Sequence, residues 1–341
     1  MSLNIIILAA GNGKRMHSNL PKVMHKVGGK TMLEHVLTTA QKLKPKTINV
    51  VVNPKIEHIK ESFKNYNINW HTQIEQKGTA DEVLILYADT PLIESKLLGK
   101  FIKYMPKSQV KVLTVELENP FGYGRIIREQ AEDEIISKII EEIEADPKQK
   151  NIKECNTGII FSNVSTLIEL ISEVKNDNTK QEFYLTDIVS IANKKNMTVA
   201  PLLSKEFNSL LGVNDKSQLE KTEQIFQENY RRYFLEKGVT MLDSKSVYFR
   251  GNVEIGADVE VDANVIFEGN IKIGNNVKIN SNVIINNSSI DNQTEIKPYS
   301  IVEDSKIGKS CSIGPYARIR PSCSLEDKVK IGNFVEVKAS L

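Results

Sequence analysis

From Val253 onward an apolar residue returns at every sixth position, and very few folds tolerate that period. Ile255, Val261, Phe267, Ile273, Ile279 and Ile285 carry one beat, and Val253, Val259, Val265, Ile271, Val277 and Val283 carry a second, two residues earlier. A one-residue slip precedes Ile290, Ile296 and Val302. Another precedes Ile307, Ile313, Ile319, Leu325, Ile331 and Val337. Ordinary antiparallel strands would alternate with period two and turn at variable intervals. A sustained hexad instead makes every six residues one flat side of a parallel β-helix, stacked on the side one coil away. Gly256, Gly274, Gly308, Gly314 and Gly332 follow the apolar position, where a tight corner is expected. The repeat runs to Leu341 without a capping element, so the coil reads as incomplete. Such coils can be pure scaffold, and the period alone assigns no function.

The preceding residues have a different rhythm. Ile5–Leu8, Ile48–Val52, Val83–Tyr87, Val110–Val115 and Gly158–Phe161 read as buried strands, and Leu33–Leu43 and Val164–Val174 as amphipathic helices between them. Apolar strands alternating with helices predict a mostly parallel sheet covered on both faces. In Gln218–Glu236 the residues Leu219, Ile225, Phe226, Tyr230, Tyr233 and Phe234 are spaced for one helical face, and Gly238 stops the helix. The expected divisions are residues 1–216, a linker helix 217–238, and the coil 239–341.

One stretch does not fit. Asn67–Gln73 and Val83–Tyr87 both read as strands, yet only Ile74–Glu82 separates them. A parallel crossover needs at least about 10–12 residues including its helix. Either the two strands are antiparallel or a segment is missing near Ala80–Asp81, and we favour the second.

Size and composition narrow the classes. A chain of 341 residues suits two or three domains. Its 45 basic and 43 acidic residues give a net charge of +2, with no global pull toward nucleic acid or membrane. Cys155, Cys311 and Cys323 form no C-x-x-C pair and read as thiols of a reducing compartment. The N-terminus lacks a basic segment before its apolar run, and no stretch approaches a membrane span, so a cytoplasmic protein is expected. The five histidines show no metal-ligand spacing and read as surface or core residues.

The first strand opens into Leu8-Ala9-Ala10-Gly11-Asn12-Gly13-Lys14-Arg15-Met16, followed by Pro21-Lys22. Glycines let backbone N–H groups approach anionic oxygens, and Lys14, Arg15 and Lys22 add charge. The P-loop spacing G-x-x-x-x-G-K-[ST] is absent. This loop resembles the signature of sugar-1-phosphate nucleotidyltransferases. Gln73-Ile74-Glu75-Gln76-Lys77-Gly78-Thr79 and Tyr87-Ala88-Asp89-Thr90-Pro91-Leu92 are similar to two further blocks of that family. Gly122-Tyr123-Gly124-Arg125, Glu141, Glu154-Cys155-Asn156-Thr157-Gly158, Tyr184-Leu185-Thr186-Asp187 and Gly212-Val213-Asn214 follow in the family's order. With the coil, the chain most resembles the bacterial bifunctional N-acetylglucosamine-1-phosphate uridyltransferase/glucosamine-1-phosphate acetyltransferases.

That resemblance implies an α/β fold: a Rossmann-like mixed, mostly parallel sheet, then a left-handed parallel β-helix of hexapeptide repeats. It implies transfer of UMP from UTP to N-acetylglucosamine 1-phosphate, releasing pyrophosphate and serving peptidoglycan and lipopolysaccharide synthesis. The sugar phosphate is already an oxyanion, so no protein nucleophile is needed; the enzyme aligns two polyanions and stabilises the leaving group. By resemblance Arg15 and Lys22 are catalytic, with Arg15 carrying the larger rate effect. Leu8, Ala9, Ala10, Gly11, Lys22, Gln73, Gln76, Gly78, Thr79, Tyr87, Asp89 and Asn214 would hold the nucleotide. Gly124, Glu141 and Asn156 would line the sugar pocket, with Tyr184 and Thr186 along its wall. Asp89 and Asn214 would ligate Mg2+. Arg125 is open between a structural and a binding role, and Glu142 and Glu144 read as a solvated face.

The second activity would use acetyl-CoA, with Arg320 and Lys338 holding glucosamine 1-phosphate. The remaining parts of that site fall beyond Leu341 in the family, so an incomplete acetyltransferase is expected. Coils of this family associate as homotrimers. The rival readings are a relative making ADP- or dTDP-glucose, and a non-catalytic regulatory subunit.

Overall fold

In the computed structural model the residues described are 2–11, 13–72, 81–105, 107–128 and 135–339. They divide into two compact units, residues 1–25 with 31–218, and residues 26–30 with 219–341.

The first unit is built on a mixed sheet. Its strands lie in the order Val199–Ser204, Val110–Glu116, Glu154–Asn163, Glu82–Tyr87, Leu3–Ala9, Thr47–Val52 and Asn69–His71. Neighbours pair in parallel except Glu154–Asn163, which runs antiparallel to both of its own. Aliphatic runs such as Ile5, Ile7, Val50, Leu84 and Leu86 are fully buried because helices cover the sheet. Met32–Lys42 and Ser95–Lys103 pack their apolar residues into one core cluster, while Val164–Ser172 and Asp187–Lys194 contribute to another.

The order of strands settles part of the short connection. Asn69–His71 and Glu82–Tyr87 are parallel to the same central strands and are not neighbours, so they are not an antiparallel pair. The chain moves from one side of Leu3–Ala9 to the other between them. This makes the carboxyl ends of Leu3–Ala9 and Glu82–Tyr87 a topological switch point, the place where open sheets of this kind bind ligands.

In the second unit the hexads become short strands joined in parallel ladders. Ile273 pairs with Ile290, Ile290 with Ile307, and Ile307 with Leu325. Phe267, Ile285, Val302, Ile319 and Val337 form a second ladder, and Val261, Ile279, Ile296, Ile313 and Ile331 a third. Each step is 18 residues except across the two slips, where it is 17. These columns are the core of the unit.

The corners differ from the expectation. Of the five glycines assigned to them, only Gly314 has positive φ. The left-handed residues are instead Asp258, Asn264, Asn276, Asn282, Asn287 and their successors, with Tyr299, Tyr316 and Phe334 among them. Short polar side chains tolerate that conformation by bonding locally. Gly274 is required for another reason. A Cβ there would lie 2.5 Å from Asn292 Oδ1 and 2.8 Å from Asn292 N, in the coil above.

The helix Lys216–Glu236 ends as expected, with Gly238 at φ 90 and Val239 N–H returning to the Phe234 carbonyl at 3.0 Å. No described helix is long and apolar enough to cross a membrane.

Candidate active site

The glycine loop leaves the sheet after Ala9. Leu8 is level with Tyr87, and Ala88 N–H donates to the Leu8 carbonyl at 3.1 Å, so Asp89 emerges beside the loop. Ala9 is buried, whereas Ala10 and Gly11 are exposed; a Cβ on Gly11 would meet nothing within 4 Å. Gly13 is held at φ 58 and Lys22 crosses it so closely that a Cβ would fall 2.8 Å from Lys22 Cβ. Lys14–Met16 and Lys22–Met24 then form two 3-10 turns.

These turns aim Lys22 inward. Its Nζ forms a very short ion pair with Asp89 Oδ2 and donates to Asn214 Oδ1 at 3.0 Å. Asn214 follows a backbone bond from Val213 N–H to the Asp89 carbonyl at 2.9 Å, and its own N–H donates to Gln218 Oε1 at 2.6 Å. Three residues distant in sequence are thus assembled around one point at the switch of the sheet. Arg15 is not drawn into this cluster and stands exposed on its turn.

A second group lies near Asp89. The Tyr87 ring packs on Gly158, which sits at φ 80 where a Cβ would strike the ring at 2.5 Å. Burial, helped by the charges of Asp89 and Glu141, pushes the Tyr87 hydroxyl up to about 12. Glu141 Oε1 accepts from Thr186 Oγ1 at 3.0 Å and lies 3.6 Å from where a Gly124 Cβ would be. Burial raises the Glu141 carboxyl above its ordinary range, and the Thr186 bond only partly offsets this. Asn156 joins through its N–H to the Gly124 carbonyl at 2.8 Å, while its Oδ1 accepts from Gly158 N–H at 2.9 Å. Gly124, Glu141, Asn156 and Thr186 therefore share one neighbourhood. The Tyr184 hydroxyl is buried with no partner among the described residues. Gln73, Gln76, Gly78 and Thr79 lie outside the described residues.

Arg125 proves structural. It is almost completely buried, and its guanidinium binds Glu142 Oε2 at 2.6 Å, the Lys150 carbonyl at 3.3 Å, and the Tyr123 carbonyl. Glu142 is consequently not a solvated charge as the sequence suggested; its Oε2 also accepts from Gly122 N–H at 3.2 Å. Tyr123, one residue before Gly124, was not singled out from the sequence. It is half-buried, hydrogen-bonds the Gly212 backbone and feels the Asp89 charge, although it sits inside a motif that was. In the coil, Arg320 pairs with Glu336 at 3.2 Å; Arg320 is half-buried and Lys338 is exposed.

Asp89 Oδ2 and Asn214 Oδ1 converge on a single cation, the Lys22 ammonium. One carboxylate and one amide oxygen suit a hard, strongly hydrated divalent ion that completes its shell with water and phosphate. Among the described residues no group of three or more His, Cys, Asp or Glu could form an all-protein cage.

Residues 5–135 match the MobA-like NTP transferase domain, and residues 249–341 match the GMPPB C-terminal domain. The sheet, the switch-point site and the first match define a nucleotidyltransferase. The bifunctional protein GlmU of Buchnera aphidicola subsp. Schizaphis graminum is 42% identical over 352 residues, covering 99% of this chain and 76% of the relative. GlmU of Azotobacter vinelandii is 40% identical over 350 residues (99% and 77%), and that of Alcanivorax borkumensis 42% over 352 (100% and 77%). The chain belongs to the GlmU family. Each alignment has more positions than the chain has residues, so these relatives carry residues that it lacks.

Proposed function

We propose that the protein transfers UMP from UTP to N-acetylglucosamine 1-phosphate, giving UDP-N-acetylglucosamine and pyrophosphate. The observation that carries this reading is the convergence of Lys22, Asp89 and Asn214 at the switch point, beside the Gly124–Glu141–Asn156 group. A phosphate oxygen of the sugar phosphate attacks the α-phosphorus in line, the new P–O bond forms, and the bond to pyrophosphate breaks. Mg2+ held by Asp89 and Asn214 would supply charge neutralisation for the phosphates. In the free site Lys22 neutralises Asp89 and keeps both oxygens facing one point. When the nucleotide enters, its phosphate oxygens compete for the ammonium, which then stabilises the departing pyrophosphate. Ala10 and Gly11 leave room for the triphosphate, Gly13 lets Lys22 cross the loop, and exposed Arg15 can close on the phosphates. Glu141, Asn156 and Thr186 offer hydrogen bonds to the sugar hydroxyls and N-acetyl group, with the Tyr184 hydroxyl as a further donor. The uracil would be read by Gln73 and the Gly78-Thr79 backbone, with Gln76 as a further nucleotide contact.

The boundaries 1–216, 217–238 and 239–341 are part of the proposal, as is a left-handed β-helix for the last, supported by parallel ladders stepping 17 or 18 residues. Arg320 and Lys338 would hold glucosamine 1-phosphate for acetyl-CoA-dependent acetylation. Tyr299, Tyr316 and Phe334 stack outward with centroids 4.9 and 5.1 Å apart, and Phe334 is 77% exposed, which supports a homotrimer through the coil. A cytoplasmic location goes with the substrates.

The test is coupled pyrophosphate release with each nucleoside triphosphate and N-acetylglucosamine 1-phosphate. Preference for ATP or dTTP over UTP would overturn the substrate assignment, and an Asp89→Ala variant with unchanged magnesium-dependent turnover would remove the metal assignment.

A further inference from the structure

The segment Gly212-Val213-Asn214 carries one of the two converging oxygens, yet it lies outside the sheet and ahead of the helix Lys216–Glu236. No ladder fixes its backbone, so each N–H must find a partner elsewhere. The three partners come from three separate places. Gly212 N–H donates to the Tyr123 hydroxyl. Val213 N–H donates to the Asp89 carbonyl at 2.9 Å, and its side chain is fully buried. Asn214 N–H donates to Gln218 Oε1 at 2.6 Å.

Two of these partners are side chains that are themselves held. Gln218 stands three residues after Asp215, and its own N–H donates to Asp215 Oδ1 at 2.8 Å. That is one half of a capping box, in which the third helical side chain normally turns back to the N–H of the capping residue. Here it reaches one residue further, so the cap of the helix also anchors the residue that presents the oxygen. Tyr123 is half-buried, with its ring packed against the core cluster that contains Leu84 and Leu86. Its N–H donates to the Pro120 carbonyl at 3.2 Å, and its carbonyl accepts from the buried Arg125 guanidinium.

We propose that Gln218 and Tyr123 are positioning residues for nucleotidyl transfer, holding the Asn214 backbone where its Oδ1 meets Asp89 Oδ2 on one cation. This rests on the reading that Asp89 and Asn214 hold Mg2+ for that transfer. A neutral amide oxygen is a weak ligand, and it contributes only where it is in place before the ion arrives. An asparagine side chain is short, so the position of Oδ1 follows the position of the backbone. The Val213 bond is backbone to backbone and any side chain would permit it. Gln218 and Tyr123 are where the sequence specifies the geometry. Removing groups that orient a metal ligand from outside typically costs about 10–100-fold in affinity or activity.

The experiment compares Gln218→Ala with Gln218→Glu in the full chain, reading pyrophosphate release against Mg2+ concentration. Gln218→Ala removes the acceptor of the Asn214 N–H, and the half-saturating Mg2+ concentration should rise about tenfold with KM for the sugar phosphate within about twofold. Gln218→Glu keeps an oxygen there and should recover most of the Mg2+ affinity. Tyr123→Phe removes only the Gly212 acceptor and should shift the Mg2+ dependence in the same direction by less. Hydrogen exchange over residues 211–216, read by mass spectrometry without Mg2+ or nucleotide, should accelerate in Gln218→Ala and not in Gln218→Glu. A Gln218 that only caps the helix would lower the melting temperature on removal and leave the Mg2+ dependence unmoved. That result, or unchanged exchange over the segment, overturns the proposal, and an unmoved Mg2+ dependence in Tyr123→Phe removes Tyr123 from it. If Gln218→Ala fails to fold, Tyr123→Phe and the same two readouts decide. Each nucleoside triphosphate is first tried with the unaltered protein. Preference for one other than UTP overturns the substrate reading alone, and the variants are then judged on the preferred nucleotide. An unaltered protein inactive with all of them refutes the transfer reading and the positioning role with it, while the exchange rates still decide whether Gln218 holds the segment.

Discussion

Removal of the Glu142 carboxylate probes the loop that leads into Gly124. Arg125 is 1% exposed and, among the described residues, has Glu142 as its only ion-pair partner, at 2.6 Å, whereas Glu142 is 23% exposed. Breaking a fully buried pair costs about 3–5 kcal/mol, because the remaining charge is stranded. Water can reach the side of Arg125 that Glu142 covers, and two backbone carbonyls remain, so about 2–3 kcal/mol is the reasoned loss for Glu142→Ala. For a unit of this size that is a fall of roughly 4–12 °C in its melting transition. Gly122 N–H also loses its acceptor, so KM for the sugar phosphate should rise.

The pH dependence has a definite sign. Burial opposes the Glu142 charge, but the hydrogen bonds from Arg125 and Gly122 outweigh it, and the carboxyl is held below its ordinary range. The pair therefore contributes fully above the ordinary glutamate pKa and is lost as pH falls through the lower folded value. Thermal unfolding of Glu142→Ala and the unaltered protein should differ at pH 7 and converge only once the pH is well below the ordinary glutamate range. A variant melting within about 1 °C of the unaltered protein at pH 7 would show that Glu142 is a solvated charge after all.

Three further outcomes are expected. Lys22→Ala should lower pyrophosphate release by at least about a hundredfold, and Lys22→Arg should not restore it, since a fork of donors does not fit between Asp89 Oδ2 and Asn214 Oδ1. Gly274→Ala should lower urea stability by about 1–3 kcal/mol through the clash with Asn292, whereas Asn276→Gly, at φ 54, should be nearly neutral. Tyr184→Phe removes a buried hydroxyl with no partner among the described residues and should raise the melting temperature of the free protein, while weakening the sugar phosphate by an increase in KM that kinetics would read.

What the sequence disclosed and what it hid have distinct physical origins. The hexads were legible because inward residues of a stacked coil must be apolar at a fixed interval, and Ile285, Ile296 and Val302 are fully buried as that demands. Aliphatic runs such as Ile5–Leu8 were legible for the same reason. The corners were misread because glycine was taken as the mark of positive φ. In Gly274 it marks a close approach of the next coil, and asparagine carries the left-handed turn. The Arg125–Glu142 pair was invisible as a pair because charged residues 17 apart carry no local signal. Asp89 and Asn214 stood out only as members of motifs; that they meet on Lys22 is a property of the sheet's crossing order, which no spacing along the chain encodes.

The two 17-residue steps also say where this coil can change its length. Both losses fall between one ladder column and the next, at Asn286–Ser289 and Glu303–Lys306, and every flanking apolar residue still points inward. A residue lost inside a strand would reverse the facing of all that follow until the next corner. Evolution of the coil is thus confined to a kind of punctuation: lineages can shorten or lengthen it by single residues at the bends, while the words between them keep their spelling.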